Sequence, residues 1–391
     1  MKTHTQLPNS RLLKSRRSAF NPVRSLSPES LIRKLDSFHS GNLAEAARLW
    51  ETIEQRDDII KAVSSKRKKS PGRFGWEITT HSNSPKALQH KAALEHFYRS
   101  LNCTNAVDEN QRGGLNLLLT QMMDAVGKHY AVHEIVWEPR AGQEPMLTAS
   151  FRFVPLWFFE NSTGRLRFQT DQSQTRAESL NEGEWMVTTG EGLMEASSIA
   201  YLFKHLPLRD WLVYCERNGM PGVRGTTDAT PGSAEWDAAR EAVQSFGAEF
   251  NALMSHGTDI QAIDLSSSGS LPYPELINRM DQAIATLWRG APMGTITENG
   301  AGISLQARET ALIERDDIIQ LSETLNKQVD RYVIKHLFNE EPHATIRILP
   351  PESQETTQQN PSNFEALTQT LPNKIVELIQ AIINTKLCTT K

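Results

Sequence analysis

At 391 residues, with 23% charged and 38% hydrophobic residues and a formal net charge of −4, the chain is long enough for a substantial core or for two or three domains. That balance excludes a generally basic nucleic-acid binder and an acidic solvating tail. The most apolar run, IAYLFKHLPLRDWLVYC, is broken by Lys204, His205, Arg209 and Asp210 and does not read as a membrane span.

Residues 1–26 carry Lys2, Arg11, Lys14, Arg16, Arg17 and Arg24 and no acid, and read as a disordered basic arm. This arm lacks the apolar run and cleavage site of a secretory signal. The three scattered cysteines, Cys103, Cys215 and Cys388, make neither a disulfide frame nor a zinc knuckle. Both features point to synthesis in a reducing cytoplasm.

Helical pattern begins at Ser27, a cap followed by Pro28 at the first helical position. It continues through residues 42–69, with Leu43, Ala46, Leu49, Ile53 and Ile60 on one stripe. Gly72 and Gly75 bracket a turn into the strand WEITTH. A helix is predicted over about 86–101 and another in GGLNLLLTQMMDAVGKHY, ending near Gly127. The period then changes: HEIVWE, MLTASFRFVPLWFF, GRLRFQT and EWMVTT predict a small antiparallel sheet or sandwich. From Ala196 the pattern is helical to Asn218-Gly219, with a kink expected at Pro207. A Gly/Thr/Pro-rich loop over 219–234 follows, then a helix capped by Ser233 and ended by His256-Gly257, then a strand, DIQAIDL. Pro272–Arg289 is amphipathic, with Ile277, Met280, Ile284 and Leu287 on its apolar face. Ser304–Phe338 is the longest helix, with a seam of Ile318, Leu321, Leu325, Val329 and Tyr332. A polar linker and a last helix, NKIVELIQAIINT, close the chain.

Between the last two amphipathic helices lies GAPMGTITENGAGIS, Gly290–Ser304. A Walker-type phosphate loop needs Gly-x4-Gly-Lys-Ser/Thr after a strand. Here Gly290 and Gly294 are one residue too close, Thr295 stands in the lysine position, and a helix precedes. In HEIVW, Trp137 replaces the second histidine of the zinc-peptidase signature, and no third ligand accompanies His129 and His133. No serine, cysteine or carboxylate sits in a nucleophile context. Glu314, Asp316 and Asp317 beside Arg308 and Arg315 read as a solvated or subunit-facing ion-pair surface. Lys66, Arg67, Lys68 and Lys69 form a basic cluster, a candidate for contact with DNA or a neighbour, without aromatic residues for base stacking.

The order of these segments resembles the portal proteins of tailed phages, of the type carried by Mu-like transposable phages and prophages. The likeness is carried by AARLWETIEQRDDII, the basic SKRKKS and GWEIT, by MDAVGKHYAVHEIVWE, and by FRFVPLWFFENSTGRLRF. It is carried further by YLFKHLPLRDWLVYCERNGMPGVRG, with Lys204, Asp210-Trp211, Glu216 and Gly219-Met220-Pro221 in order, and by WRGAPMGTITENGAGISLQARE. It runs from roughly residue 40 to 340. Two departures stand out: the part after Pro342 is short for the family, and Ile296 separates Thr295 from Thr297.

The resemblance implies an α+β portal fold, mainly α-helical with small sheets. It divides the chain into the basic arm at 1–26, a wing at 27–195 and a first stem helix at 196–218. A clip at 219–269, a second stem helix at 270–289, a tunnel loop at 290–303 and a long helix at 304–338 follow, with a short crown or tail at 339–391. It implies a non-catalytic ring, usually twelve-fold, at one capsid vertex in the virion, with no cofactor, metal or membrane. Double-stranded DNA would pass through it; the terminase large subunit, the major capsid or scaffold protein and a head-tail adaptor would be its partners. The tunnel loop would present Met293, Gly294, Thr295, Thr297, Glu298, Asn299 and Gly300 to DNA, uncharged or acidic residues that do not grip phosphate. Arg279, Gln282 and Arg289 are candidates for the channel face of the second stem helix. The alternatives are a nucleotide-dependent enzyme using Gly290–Gly302, a metal enzyme using His129 and His133, or a basic DNA-binding assembly protein.

Overall fold

The computed structural model describes residues 26–350 apart from 141–145, 171–176, 220–222, 227–228, 238–250, 255–271 and 291–300. Helix α1 (Pro28–His39) begins as its sequence asks: the Ser27 hydroxyl accepts from the Ser30 N–H, the Ser30 hydroxyl accepts from the Ser27 N–H, and proline holds the first position. The helical pattern of 42–69 resolves into two helices, α2 (Ala44–Arg56) and α3 (Asp58–Lys69). The break is Asp57, whose backbone is extended and whose carboxylate caps α3 by accepting from the Ile60 N–H at 2.9 Å.

Strand β1 (Trp76–Thr80) leads to α4 (Pro85–Ser100), capped by Ser84. Then come β2 (Asn102–Asn105), the two-residue β3 (Arg112–Gly113), α5 (Leu115–Met122), α6 (Asp124–Lys128), β4 (Tyr130–Arg140) and β5 (Met146–Val154). Strands β6 (Phe159–Glu160), β7 (Arg167–Gln169), β8 (Ala177–Ser179) and β9 (Trp185–Thr189) complete this half. The expected antiparallel sheet is instead a five-stranded mixed sheet in the order β3-β2-β5-β4-β9, with β2 and β5 parallel, beside a small antiparallel sheet β6-β7-β8. The short NCTN strand is too polar to stand out from the alternation pattern alone.

On this sheet and its helices sits one core. Trp50, Phe97, Phe151, Phe158, Phe159 and Trp288 are fully enclosed. Each aromatic side chain of this kind contributes about 4–6 kcal/mol of gross apolar burial before ordering entropy is subtracted. Gly41 shows how tightly the α1–α2 turn meets the strand layer. Its φ is +98°, and a Cβ there would lie 2.4 Å from the Ser162 amide nitrogen.

Helix α7 (Met194–Gly219) runs through Pro207 and packs along α8 (Tyr273–Arg289). The apolar face predicted for α8 is the one that packs: Ile284, Ala285 and Trp288 are buried, and Ile277, Met280 and Leu287 half-buried. Between them, β10 (Val223–Thr226) and β11 (Asn251–Met254) pair in parallel. This corrects two expectations, since β10 falls in the predicted loop and β11 in the predicted helix ending at His256. A short apolar run such as NALM fits either period. The predicted strand DIQAIDL and the closing helix NKIVELIQAIINT lie outside the described residues.

The long helix is continuous from α9 (Ala301–Leu325) through a π-helical turn (Asn326–Asp330) into α10 (Arg331–Phe338). Its seam of Ile318, Leu321, Leu325 and Val329 is buried, with Tyr332 half-buried. The last described strand, β12 (Ala344–Ile348), returns to pair antiparallel with β1, Trp76 facing Ile348. The chain is thus α+β, mainly helical with small sheets.

Candidate functional site

The segment that raised the sharpest question, 291–300, lies outside the described residues, and with it Met293, Gly294, Thr295, Thr297, Glu298, Asn299 and Gly300. The helices on either side, α8 and α9, are described. Helix α8 ends at Gly290, a left-handed C-cap with φ +73° whose N–H donates to the Thr286 carbonyl at 2.7 Å. On the far side, α9 brings Thr310 back to the Arg289 carbonyl, its hydroxyl donating at 3.3 Å.

Arg67 fastens these two supports together. Its Nε and Nη2 donate to both Asp317 oxygens at 2.9 Å, a bidentate pair in which each side chain is 5% exposed. Nη1 donates to the Trp288 carbonyl at 3.4 Å, and Nη2 reaches Glu191 at the same distance. One guanidinium therefore holds the end of α8, the loop before α7 and the middle of α9. Burial works against the Arg67 charge, but the bonds and charges of Asp317 and Glu191 outweigh it and raise its pKa above the ordinary value. Beside it, the Ser70 hydroxyl donates to Glu314. The Trp288 indole N–H donates to the Ser197 hydroxyl of α7 at 2.9 Å.

A second fastening lies further up the two helices. Lys204 of α7, almost enclosed, has its Nζ 3.1 Å from Asp57, 2.8 Å from Asp58 and 2.7 Å from Asp281 of α8. Burial opposes its charge, and the three carboxylates more than reverse that and hold its pKa well up. Asp57, fully enclosed, feels burial pushing its carboxyl up; His205 at 3.1 Å, the Ile60 N–H and Lys204 together hold it below the usual range. The start of α3 is thereby tied to both α7 and α8.

The four-residue basic cluster does not form one surface. Arg67 turns inward as described. Lys68 also turns in, to Asp124 at 2.7 Å and to Glu54, in a buried group that includes Lys128 and Glu51. Lys66 and Lys69 are exposed. Helical spacing explains the split, since α3 buries Ile60, Val63, Ser64 and Arg67 on one face. Asp317 likewise belongs to the interior and corrects its reading as a surface acid; Asp316 and Arg315 remain exposed. The signal was available, because Asp317 adjoins Ile318 in the seam that includes Leu321 and Leu325.

On α8, Arg279 and Gln282 are exposed and Arg289 half-buried, all away from the Ile284–Trp288 face. His133 is wholly buried on β4, its ring against Phe153 and its Nε2 3.2 Å from the Gln121 side-chain oxygen; burial lowers its pKa to about 3. His129, at φ +69°, packs against Gly192 and lies 3.7 Å from Glu195. Four residues along extended chain span roughly 13 Å, so the two rings do not share one metal. Among the described residues no group of three metal-ligating side chains converges, and no helix is long and apolar enough to cross a membrane.

Known proteins similar to this chain include a Mu-like prophage FluMu protein gp29 from Haemophilus influenzae. It is 21% identical over 293 residues, covering 72% of this chain and 54% of its own length. The chain thus spans about half the length of that relative. Two solved assemblies contain chains of weak structural likeness. In the neck of an empty gene transfer agent particle, computed with six-fold symmetry, the TM-score is 0.46 at 10% identity, covering 82% of this chain and 85% of that one. In the native gene transfer agent virion it is 0.46 at 11% identity, covering 93% of both. Likeness at that level is too slight to support an argument. The model of the family described as the portal protein of Mu bacteriophage matches residues 47–376, most of the sequence and all of the helices that the two fastenings join. The chain belongs to that portal family.

Proposed function

We propose that copies of this chain close into a ring at a capsid vertex and form a passive conduit for double-stranded DNA. The ring would serve packaging with a terminase large subunit, connection to a head-tail adaptor, contact with the major capsid or scaffold protein, and ejection. In this reading residues 27–195 are the wing, α7 and α8 the stem, 219–269 the clip, 290–303 the tunnel loop, and α9–α10 the helix toward a short crown at 339–391. The protein is synthesised in the host cytoplasm, acts within the virion, and has no catalytic centre or cofactor.

The observation that carries the reading is the family match over 47–376, and the two fastenings give it a physical basis. A loop that borders moving DNA must yield while its ends stay put. Arg67 holds the end of α8 against the middle of α9, and Lys204 ties α7 to α8, each with buried charges that salt screens little. The exposed Arg279 and Gln282 face away from those fastenings, where a channel surface belongs. In a ring each such side chain recurs around the axis, so one charge per copy becomes a circle of charge.

Electron microscopy of the purified full chain tests this directly. Annuli with a mass near twelve times 43.9 kDa are expected. Material that remains single chains under every assembly condition overturns it. ATP turnover abolished by Gly294→Val would favour a nucleotide enzyme instead.

A further inference from the structure

Two exposed helical stripes match each other in spacing and charge. On α1, Glu29, Ile32 and Asp36 lie on one face; Ile32 is 58% exposed and both acids are exposed. On α9, Arg308, Leu312, Arg315 and Ile319 lie on one face; Leu312 and Ile319 are each 48% exposed and both arginines are exposed. None of these four charges has an ion-pair partner among the described residues, although the nearby Arg67 and Lys204 are fully paired.

The equal spacing lets both acid–arginine pairs form at once, and the flanks on which the charges lie set the direction. Seven residues separate Glu29 from Asp36 and Arg308 from Arg315 alike, roughly 10.5 Å along each helix at 1.5 Å per residue. Laid parallel, Glu29 meets Arg308 and Asp36 meets Arg315, with Ile32 within one residue of the level of Leu312. The acids lie to one side of Ile32 and the arginines to the other side of Leu312, the two sides that face each other when helices run parallel. Laid antiparallel, the two acids instead face the flank of α9 that carries Asp316.

We infer that the α1 stripe of one copy packs parallel on the 308–319 stripe of the next copy, forming a joint between adjacent copies. This rests on the ring reading above. The joint is heterologous: each copy offers one stripe and receives the other, the kind of contact that repeats until a rotation closes it. Its apolar centre supplies burial and its two acid–arginine pairs set direction and register. Like-charge contact penalises the antiparallel alternative, in which Glu29 and Asp36 lie near Asp316 rather than the arginines.

Charge reversal with rescue tests it. Glu29→Lys/Asp36→Lys and Arg308→Glu/Arg315→Glu are each made in the full chain, then combined, and ring formation is followed by light scattering across protein concentration. Circular dichroism checks that each variant is folded, as expected for exposed positions. Each reversed pair should raise the concentration needed for rings about tenfold or more, and the four-fold variant should return it to near the wild-type value. Rings that form normally in both reversed variants, or a four-fold variant no better than its parents, overturn this joint while leaving the ring standing. A wild-type chain that never forms rings overturns the ring and the joint with it. If the basic arm of residues 1–25 covers α1 instead, deleting that arm will match the α1 reversal and the α9 reversal will not rescue it, which also overturns the joint.

Discussion

Arg67→Met removes the guanidinium that joins α8 to α9 and leaves Asp317 buried without its counter-charge. Both side chains of the pair are 5% exposed and meet through two 2.9 Å bonds, so screening by water is small. Breaking such a pair from one side costs about 3–5 kcal/mol, mostly the penalty of the orphaned carboxylate. Replacing both ends by apolar groups of similar size removes that penalty, so Arg67→Met/Asp317→Leu should lie within about 1 kcal/mol of wild type. The assay is urea unfolding at fixed protein concentration, followed by tryptophan fluorescence, with Trp288 beside the pair as reporter. A single-variant loss below about 1 kcal/mol would mean a solvent-screened bridge of the surface kind, and the account of an anchored loop base would be wrong. A double variant as unstable as the single would refute the assignment of the cost to an orphaned charge.

The remaining predictions concern strain, protons and the loop. Gly192→Ala should unseat the start of α7, because φ is +78° there and a Cβ would lie 2.0 Å from the His129 ring; a lower melting temperature with loss of the soluble fraction is the expected readout. Asp330 is buried, accepts from the Tyr98 hydroxyl at 2.6 Å and the Ile346 N–H at 2.8 Å, and burial raises its pKa to about 7. The native state then binds this proton more tightly than the unfolded chain, so its contribution is full below pH 3.8 and is lost as pH rises to about 7. Asp330→Asn should flatten that slope, which is at most about 1.4 kcal/mol per pH unit, and unfolding midpoints from pH 4 to 7 will show whether it does. His133 acts in the opposite sense: with its pKa lowered to about 3, stability falls as pH drops below about 6.5, and His133→Leu should remove that acid-side slope. Shortening 294–302 should leave rings intact and reduce DNA-filled heads; rings that fail to form would make the segment part of an interface.

Periodicity and capping chemistry made most of the helices legible. Ser27-Pro28 announced α1, the helix expected over about 86–101 runs from Pro85 to Ser100, and the 318–329 seam emerged as read. What stayed hidden was long-range. Nothing local pairs β1 with β12, or β2 with β5 in parallel, because a strand's partner depends on chain that lies far away. The fastenings were half visible. Lys204 stands out through the family resemblance, yet its three carboxylates come from α3 and α8, distant in the chain. Arg67 reads with its neighbours as a basic patch because a run of like charges hides which one faces inward. The i, i+3, i+4 positions of Ile60, Val63 and Ser64 point to Arg67 once they are carried through the charged segment.

The pairing of β1 with β12 sets an order of events during synthesis. Strand β1 leaves the ribosome early, and its only partner among the described residues emerges after the long helix has been made. Until then its edge is open and the helices around it lack their closing strand, a state prone to pairing with other nascent chains. A product terminated before β12 therefore leaves β1 without this partner and its edge open. Completeness of this body is thus decided late, when β12 has been made.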